Sequence, residues 1–118
     1  MKVQTSQEIL HNLPYEAISV TVDATTEGTE IVNGRKLLKA GTVLYGDGGS
    51  IFEDRTRKVK KAAANTAADG ILLYDVDLTD GDAAVALVYR GTVRSDRVVG
   101  YTTELDSALP QIKFVAGV

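Results

Sequence analysis

Four aspartates near the middle of the chain are the residues whose type and spacing could do chemistry: Asp75, Asp77, Asp80 and Asp82. Clustered carboxylate oxygens are the ligands that Ca²⁺ prefers, so this stretch is the leading metal candidate. An EF-hand loop starting at Asp75 needs Gly at its sixth position and Glu at its twelfth. The chain has Asp80 and Ala86 there. The motif fails, and we predict no metal and no other cofactor.

A glycine-rich segment, residues 46–50, is the second candidate, because backbone amides at glycines can cradle phosphate. A Walker loop continues with Lys, then Ser or Thr, and then a helix. Here Ile51 and Phe52 follow Ser50. We therefore interpret the segment as a tight loop.

The remaining catalytic repertoire is small. The chain has no Cys, which excludes a thiol nucleophile and thiolate metal ligands, and its one His is His11. A hydrolytic triad built on a lone His11 has weak support. An enzyme using Asp75 or Asp77 ranks lowest among the functions considered, and we predict that the chain is not an enzyme.

Composition favours one folded domain. The chain has 118 residues, of which 44% are hydrophobic and 25% charged. The net charge of −3 argues against nucleic-acid binding, which draws on a surplus of Lys and Arg. No run approaches the length of about 20 apolar residues that a membrane-spanning helix needs, and no signal peptide is evident. We expect a chain made in the cytoplasm and not bound to a membrane.

One cationic stretch stands out. Residues 55–61 hold five basic side chains, with Glu53 and Asp54 beside them. The first interpretation is a solvated face or loop. The second is a docking patch for an acidic protein surface.

The elements that would position these groups are mostly strands. Residues 1–14 are polar with isolated apolar side chains and end in Pro14, so we predict an arm preceding a single domain, residues 15–118. Residues 16–23 alternate and predict a strand. Residues 59–69 are predicted to hold at most a short helix.

Two tight turns predict hairpins. Asn33-Gly34 and Asp80-Gly81 are both pairs that favour two-residue turns with positive φ. For the second hairpin this places Leu72 opposite Tyr89, on a face that is wholly apolar.

The C-terminal region predicts one short helix. Thr103 followed by Asp106 resembles a capping box that opens a helix over residues 104–109, and Pro110 ends it. A strand follows over residues 112–115. The fold class is therefore mainly β, with short strands and hairpins and one short C-terminal helix.

The order of these parts resembles the head decoration proteins of tailed bacteriophages, of the lambda protein D type, and the related phage head fiber proteins. The resemblance spans residues 15–115, and no single piece is specific to the family. Its central pieces are Ala67-Ala68-Asp69 leading into Gly70-Ile71-Leu72, the strand Tyr74-Asp75-Val76-Asp77, the turn Asp80-Gly81-Asp82 and the strand end Arg90-Gly91-Thr92-Val93. The flanking pieces are the upstream step Lys39-Ala40-Gly41-Thr42-Val43-Leu44 and the closing strand Ala108-Leu109-Pro110-Gln111-Ile112-Lys113-Phe114-Val115.

The resemblance implies a small β-clip-like decoration domain that binds the exterior of an expanded capsid as a homotrimer and stabilises it. Its partners would be the major capsid protein and itself, and its location the outer capsid surface of the virion. The arm would contact the capsid, through anchors at Ile9, Leu10, Leu13 and Tyr15. The alternative function is a small β-clip module that binds a ligand or carbohydrate, because fold does not fix function.

Overall fold

The computed structural model describes residues 10–116 of the chain, with side chains from residue 15 onward. The described part is mainly β, as the sequence predicted, with one short α-helix. The elements are β1 (Leu10–Val22), β2 (Glu30–Val32), β3 (Arg35–Leu38), β4 (Val43–Gly46), β5 (Lys58–Lys61), β6 (Gly70–Leu72), β7 (Val76–Asp77), β8 (Ala83–Arg94), α1 (Glu104–Ala108) and β9 (Ile112–Val115).

Five of these strands close into a small barrel. β1 pairs with β5, β5 with β4, β4 with β6, β6 with β8, and β8 returns to β1. β9 runs parallel to the far end of β8. Closing a sheet in this way pairs strand edges that would otherwise be open to other chains.

The barrel interior takes a fully buried aliphatic side chain from every strand of the ring. These residues share one cluster and have 0% exposure: Val22, Leu44, Val59, Leu72 and Leu87. Burial on this scale stabilises the fold by about 1.5–3 kcal/mol for each side chain. The ring is therefore held by packing from all five strands.

A second cluster covers the outside of the same wall. Val43, Ile71 and Val88, each next in sequence to a residue of the interior, belong to this cluster together with Leu105 of α1 and Ile112 of β9. Successive side chains of a strand point to opposite faces, so these strands are buried on both sides. This explains why they appear in the sequence as continuous apolar runs.

The Asn33-Gly34 hairpin is confirmed. β2 and β3 pair with Val32 opposite Arg35, and the two turn residues have φ of 52° and 77°. β3 then pairs with β7, which completes a separate three-stranded sheet.

The predicted Asp80-Gly81 hairpin is wrong. Its first half is divided between two sheets, because β6 pairs with β8 whereas β7 pairs with β3. Within the β6–β8 pair, Leu72 lies opposite Leu87 and not opposite Tyr89. The observed register thus differs from the predicted one by two residues. A shift of two residues keeps every side chain on its predicted face, so the sequence could predict the apolar face although its strand partners were wrong.

The turn itself also differs from the prediction. The Gly81 N–H donates to the Leu78 carbonyl at 3.3 Å, so the turn is centred on Thr79 and Asp80. Of the predicted turn pair, Gly81 has a positive φ, of 125°, and Asp80 does not.

The first strand is longer than predicted. β1 begins at Leu10, whereas the alternating pattern placed its start at residue 16. Its register against β8 is irregular between Leu10 and Ala17, which marks bulges in this part of the pair. Residues 10–14 therefore belong both to the predicted arm and to β1.

The C-terminal elements agree with the sequence. α1 ends one residue earlier than predicted, and β9 has the predicted bounds. The capping-box interpretation is wrong, because Thr103 makes no side-chain capping bond. The Asp106 carboxylate instead accepts a hydrogen bond from the Tyr101 hydroxyl at 3.0 Å.

Candidate interaction surfaces

The aspartates singled out in the sequence serve as structural anchors. Asp77 accepts a hydrogen bond from Arg35 Nε at 2.7 Å, and Arg35 Nη2 also reaches Asp80 at 3.4 Å. Hydrogen bonds from the Thr79 side chain and backbone, with that of Arg35, lower the pKa of Asp77 to about 2. Such a carboxylate is a weak proton acceptor at neutral pH, so it suits ion pairing better than general-base chemistry.

The other two aspartates have separate partners. Asp82 accepts from the Ala24 N–H at 2.8 Å and pairs with Lys58 Nζ at 2.6 Å, and both contacts lower its pKa. Asp75 accepts from the Ala40 N–H at 2.7 Å. Among the side chains that the structure describes, residues 15–116, no group of three or more His, Cys, Asp or Glu is arranged to hold a metal ion.

The glycine-rich loop already has an anion of its own. Asp69 Oδ2 accepts from the backbone N–H groups of Gly46 at 2.7 Å and Ile51 at 3.0 Å, and Oδ1 accepts from the Ser50 hydroxyl at 3.2 Å. Amides that could have cradled a phosphate are thereby satisfied within the chain. The segment is therefore a tight loop, as predicted, and the hydrogen bonds to Asp69 hold it in place.

The cationic stretch turns out to contain strand β5. Val59 points into the barrel, while Lys58 pairs with Asp82 and Lys60 lies 3.6 Å from Asp47. Carboxylates therefore balance much of this charge, which agrees better with the solvated face than with a docking patch.

The predicted capsid contacts fall at the start of β1. Ile9 lies outside the described residues, and Leu10 and Leu13 belong to β1, where only the backbone is described. Tyr15 is half-buried and packs against the outer cluster. Their role as capsid anchors stays a prediction.

The first half of β1 has an open edge. One side of β1 pairs with β8 along its length, but β5 covers the other side only at Thr21 and Val22. Over residues 10–20, that second edge has no strand partner in the part of the chain that the structure describes. The Ser19 carbonyl already accepts a hydrogen bond from Arg55 Nη2 at 3.4 Å. The remaining backbone groups of this edge could receive a strand from another protein.

An exposed apolar hairpin is a second surface. We use "apolar hairpin" for β2, the Asn33-Gly34 turn and β3. Ile31 is 73% exposed and Val32 is 41% exposed. Because neighbours on a strand face opposite sides, both faces of the hairpin carry an uncovered aliphatic side chain. The sequence indicated the hairpin, but nothing in it distinguished these residues from core residues.

A concave apolar surface forms the third feature, which we call the aromatic groove. It encloses about 360 Å³. Phe52 stands at 50% exposure with its ring edge-on to Tyr89, the centroids 5.5 Å apart. The residues that line it are Phe52, Ala68, Asp69, Tyr89, Ala108, Leu109, Pro110 and Gln111. Sequence analysis missed it because these residues come from four separate parts of the chain.

Tyr89 is fixed in place at the groove. Its hydroxyl donates to Glu16 Oε1 at 3.0 Å, and this bond raises the pKa of the Tyr89 phenol. Glu16 also pairs with Arg90 at 3.5 Å. The aromatic groove therefore has a wall that is tied to β1.

Within residues 10–116, the structure contains no helix long and apolar enough to cross a membrane. Comparison of the chain with protein-family models and with curated proteins found no match.

Proposed function

We propose that this chain is a phage capsid decoration protein, which binds the exterior of the expanded capsid as a homotrimer and reinforces it. The proposal starts from the order of sequence parts that resembles this family. The observation that carries it is the open edge of β1 over residues 10–20, which includes the last residues of the segment predicted to contact the capsid. Its partner is then the major capsid protein, and its place the outer surface of the virion.

The open edge supports the proposal because strand addition is a general way to bind a protein lattice. Main-chain hydrogen bonds supply affinity, and alternate side chains supply specificity. A protein that binds only the expanded lattice stabilises it by mass action, by about 2.7 kcal/mol per site at one hundred times Kd. Repeated over many sites, this contribution reinforces the whole shell.

Co-sedimentation with purified expanded heads that lack their decoration protein tests the proposal. We expect the wild-type chain to pellet with the heads and to raise their disruption temperature. A chain lacking residues 2–9 loses one of the four predicted anchors, Ile9, and keeps Leu10, Leu13, Tyr15 and the open edge, so it should bind more weakly than the wild type. Val99→Asp, at a position 45% exposed and distant in sequence from β1, is the control and should bind normally. Absence of wild-type binding would overturn the proposal. Full binding by the truncated chain would show that residues 2–9 do not contact the capsid.

The alternative, a module that binds a ligand or carbohydrate, would use the aromatic groove. An exposed ring such as Phe52 favours sugar stacking. However, Asp69, the carboxylate that lines the groove, already accepts three hydrogen bonds from its own loop. It has little capacity left for sugar hydroxyls, so the groove suits an apolar protein segment better. Saturable binding of a soluble oligosaccharide, abolished by Phe52→Ala, would favour the alternative.

A further inference from the structure

The tip of the apolar hairpin places a reactive pair of groups in solvent. Asn33 and Gly34 form the turn, and both residues are exposed. The backbone nitrogen that follows an asparagine can attack the asparagine side-chain amide, and glycine favours this attack because it has no Cβ to crowd the nitrogen. Nothing lies within 4 Å of the point that a Cβ of Gly34 would occupy. The nitrogen is therefore open to its surroundings as well.

Neither reacting group is held by a hydrogen bond. Among the residues that the structure describes, the Gly34 N–H donates to no backbone carbonyl and the Asn33 side chain has no hydrogen-bond partner. The reaction therefore does not first have to break a bond of either group.

Asn65 is the opposite case within the same chain. Its Nδ2 donates to the Gly100 carbonyl and to Thr102 Oγ1, both at 2.9 Å. The residue that follows it is Thr66, whose branched side chain crowds the neighbouring nitrogen. Asn65 is thus protected by both of the features that Asn33 lacks.

The hairpin tip can open without disturbing the barrel. Three residue pairs join β2 to β3, and within the described part of the chain β2 has no strand partner on its other edge. All three residues of β2 are exposed. Segments with so few buried contacts open locally at a small cost in free energy. The backbone rotation that brings the Gly34 nitrogen to the Asn33 side chain is therefore accessible to the folded protein.

We propose that Asn33 is a site of spontaneous deamidation, which changes the charge and the backbone of the hairpin tip as the protein ages. The Gly34 nitrogen forms a bond to Cγ of Asn33, and the bond from Cγ to Nδ2 breaks. Nδ2 leaves as ammonia, with the proton that the Gly34 nitrogen has lost, and a cyclic succinimide remains. Water then opens this ring. Opening at Cγ gives an aspartate, whereas opening at the main-chain carbonyl gives an isoaspartate, whose main chain runs through the side-chain carbons.

The isoaspartate product should disrupt the turn. It adds a methylene to the main chain of a two-residue turn, in which Val32 lies directly opposite Arg35. Such a turn depends on positive φ at both of its residues, here 52° and 77°, and has no place for an extra backbone atom. The base of the hairpin is held separately, because the Lys36 N–H donates to Thr79 Oγ1 at 2.7 Å. We therefore expect the tip to lose its pairing while the barrel is kept.

Ageing of the full chain in mildly alkaline buffer, followed by ion-exchange chromatography and peptide mapping, tests the inference. We expect a more acidic species to accumulate, with aspartate and isoaspartate at position 33 distinguished by electron-transfer fragmentation. Asn65 is the internal control and should convert about thirtyfold more slowly, the factor expected from its two hydrogen bonds. Conversion of Asn33 that is no faster than that of Asn65 would overturn the inference.

Asn33→Gly is the matched variant, because Gly-Gly also forms two-residue turns of this kind. It removes the side-chain amide and should prevent the acidic species, with unchanged circular dichroism. An Asn33→Gly chain that becomes acidic as fast as the wild type would overturn the assignment to Asn33.

Hydrogen exchange of the purified isoaspartate form measures the effect on the hairpin. The backbone amide of Arg35 should exchange faster than in fresh protein, whereas that of Leu87 in the barrel should be unchanged. Equal exchange at Arg35 in the two forms would overturn the predicted loss of pairing at the tip.

Discussion

The carboxylate of Asp69 accepts a hydrogen bond from the backbone N–H of Gly46 at 2.7 Å, which ties the residue before β6 to the last residue of β4. The same oxygen accepts from the Ile51 N–H, and both Gly46 and Ile51 are buried. One side chain thus satisfies two buried donors and sets the path of the glycine-rich loop. That loop carries Phe52 to the rim of the aromatic groove.

Asp69→Ala should destabilise the fold by about 2–4 kcal/mol, because two buried N–H groups lose a charged acceptor. Urea unfolding followed by circular dichroism measures the loss. Asp47→Ala is the matched control on the same loop, since it removes only an exposed pair with Lys60 and should cost less than about 1 kcal/mol. Equal losses of unfolding free energy for the two variants would argue against a stabilising role for the hydrogen bonds to Asp69.

Gly46→Ala should destabilise the fold for steric reasons. A Cβ at this position would lie 2.2 Å from the Gly49 carbonyl oxygen and 2.8 Å from the Ile51 nitrogen. We expect a loss of about 2–4 kcal/mol, since backbone must move to make room. At Gly48 a Cβ meets nothing within 4 Å, and only its φ of +88° opposes a side chain. Gly48→Ala should therefore cost about 1 kcal/mol, and thermal unfolding of the two variants compares them.

Acid should weaken the fold between about pH 4 and pH 2. The pKa of Asp77 lies at about 2 in the folded chain against its usual 3.8, through its bonds to Thr79 and Arg35. Because the folded-state pKa is the lower one, this stabilisation is present above pH 3.8 and is lost as the pH falls through 2. The carboxyls of Asp23, Asp54 and Asp82 also have lowered pKa values and act in the same direction.

An NMR titration of the side-chain carboxyl carbons checks this directly, and the Asp77 midpoint should lie near 2. The unfolding temperature of Asp77→Asn should also fall less steeply over the same pH range than that of the wild type. A midpoint for Asp77 close to 3.8 would contradict its hydrogen bonds from Thr79 and Arg35.

Leu72→Ala and Ile31→Ala should differ sharply in their effect on folding. Leu72 is fully buried inside the barrel, so its truncation should cost about 2–5 kcal/mol in unfolding free energy. Ile31 is 73% exposed, and its truncation should change that free energy by less than about 0.5 kcal/mol. Chemical unfolding measures both effects. A large folding cost for Ile31→Ala would show that the hairpin packs on its own domain.

Local chemistry made part of this fold predictable. The Asn33-Gly34 hairpin is recognisable because few residue pairs tolerate positive φ at both turn positions. α1 and β9 are recognisable because Pro110 stops one element and starts the next within a few residues. In each case the signal and the structure lie within the same short segment.

The sequence alone could not predict which strands pair with each other or in which register. Alternation predicts which residues share a face, but a slip of two residues preserves the alternation, so Leu72 could be assigned to Tyr89 when its partner is Leu87. Nothing local indicated that β7 would leave β6 and pair with β3. Likewise, residues 10–14 were predicted to belong to an arm, yet pairing with β8 makes them part of β1.

The sequence by itself determined the mainly β class, one tight hairpin, the C-terminal helix and the failure of the metal and phosphate motifs. Only the tertiary structure decided that Asp69 occupies the loop amides, that Ile31 stays exposed and that Phe52 and Tyr89 form one groove. The physical reason is that turns and helix ends depend on neighbouring residues. Burial and strand pairing depend on residues far apart in the chain, and several arrangements satisfy the same alternating pattern.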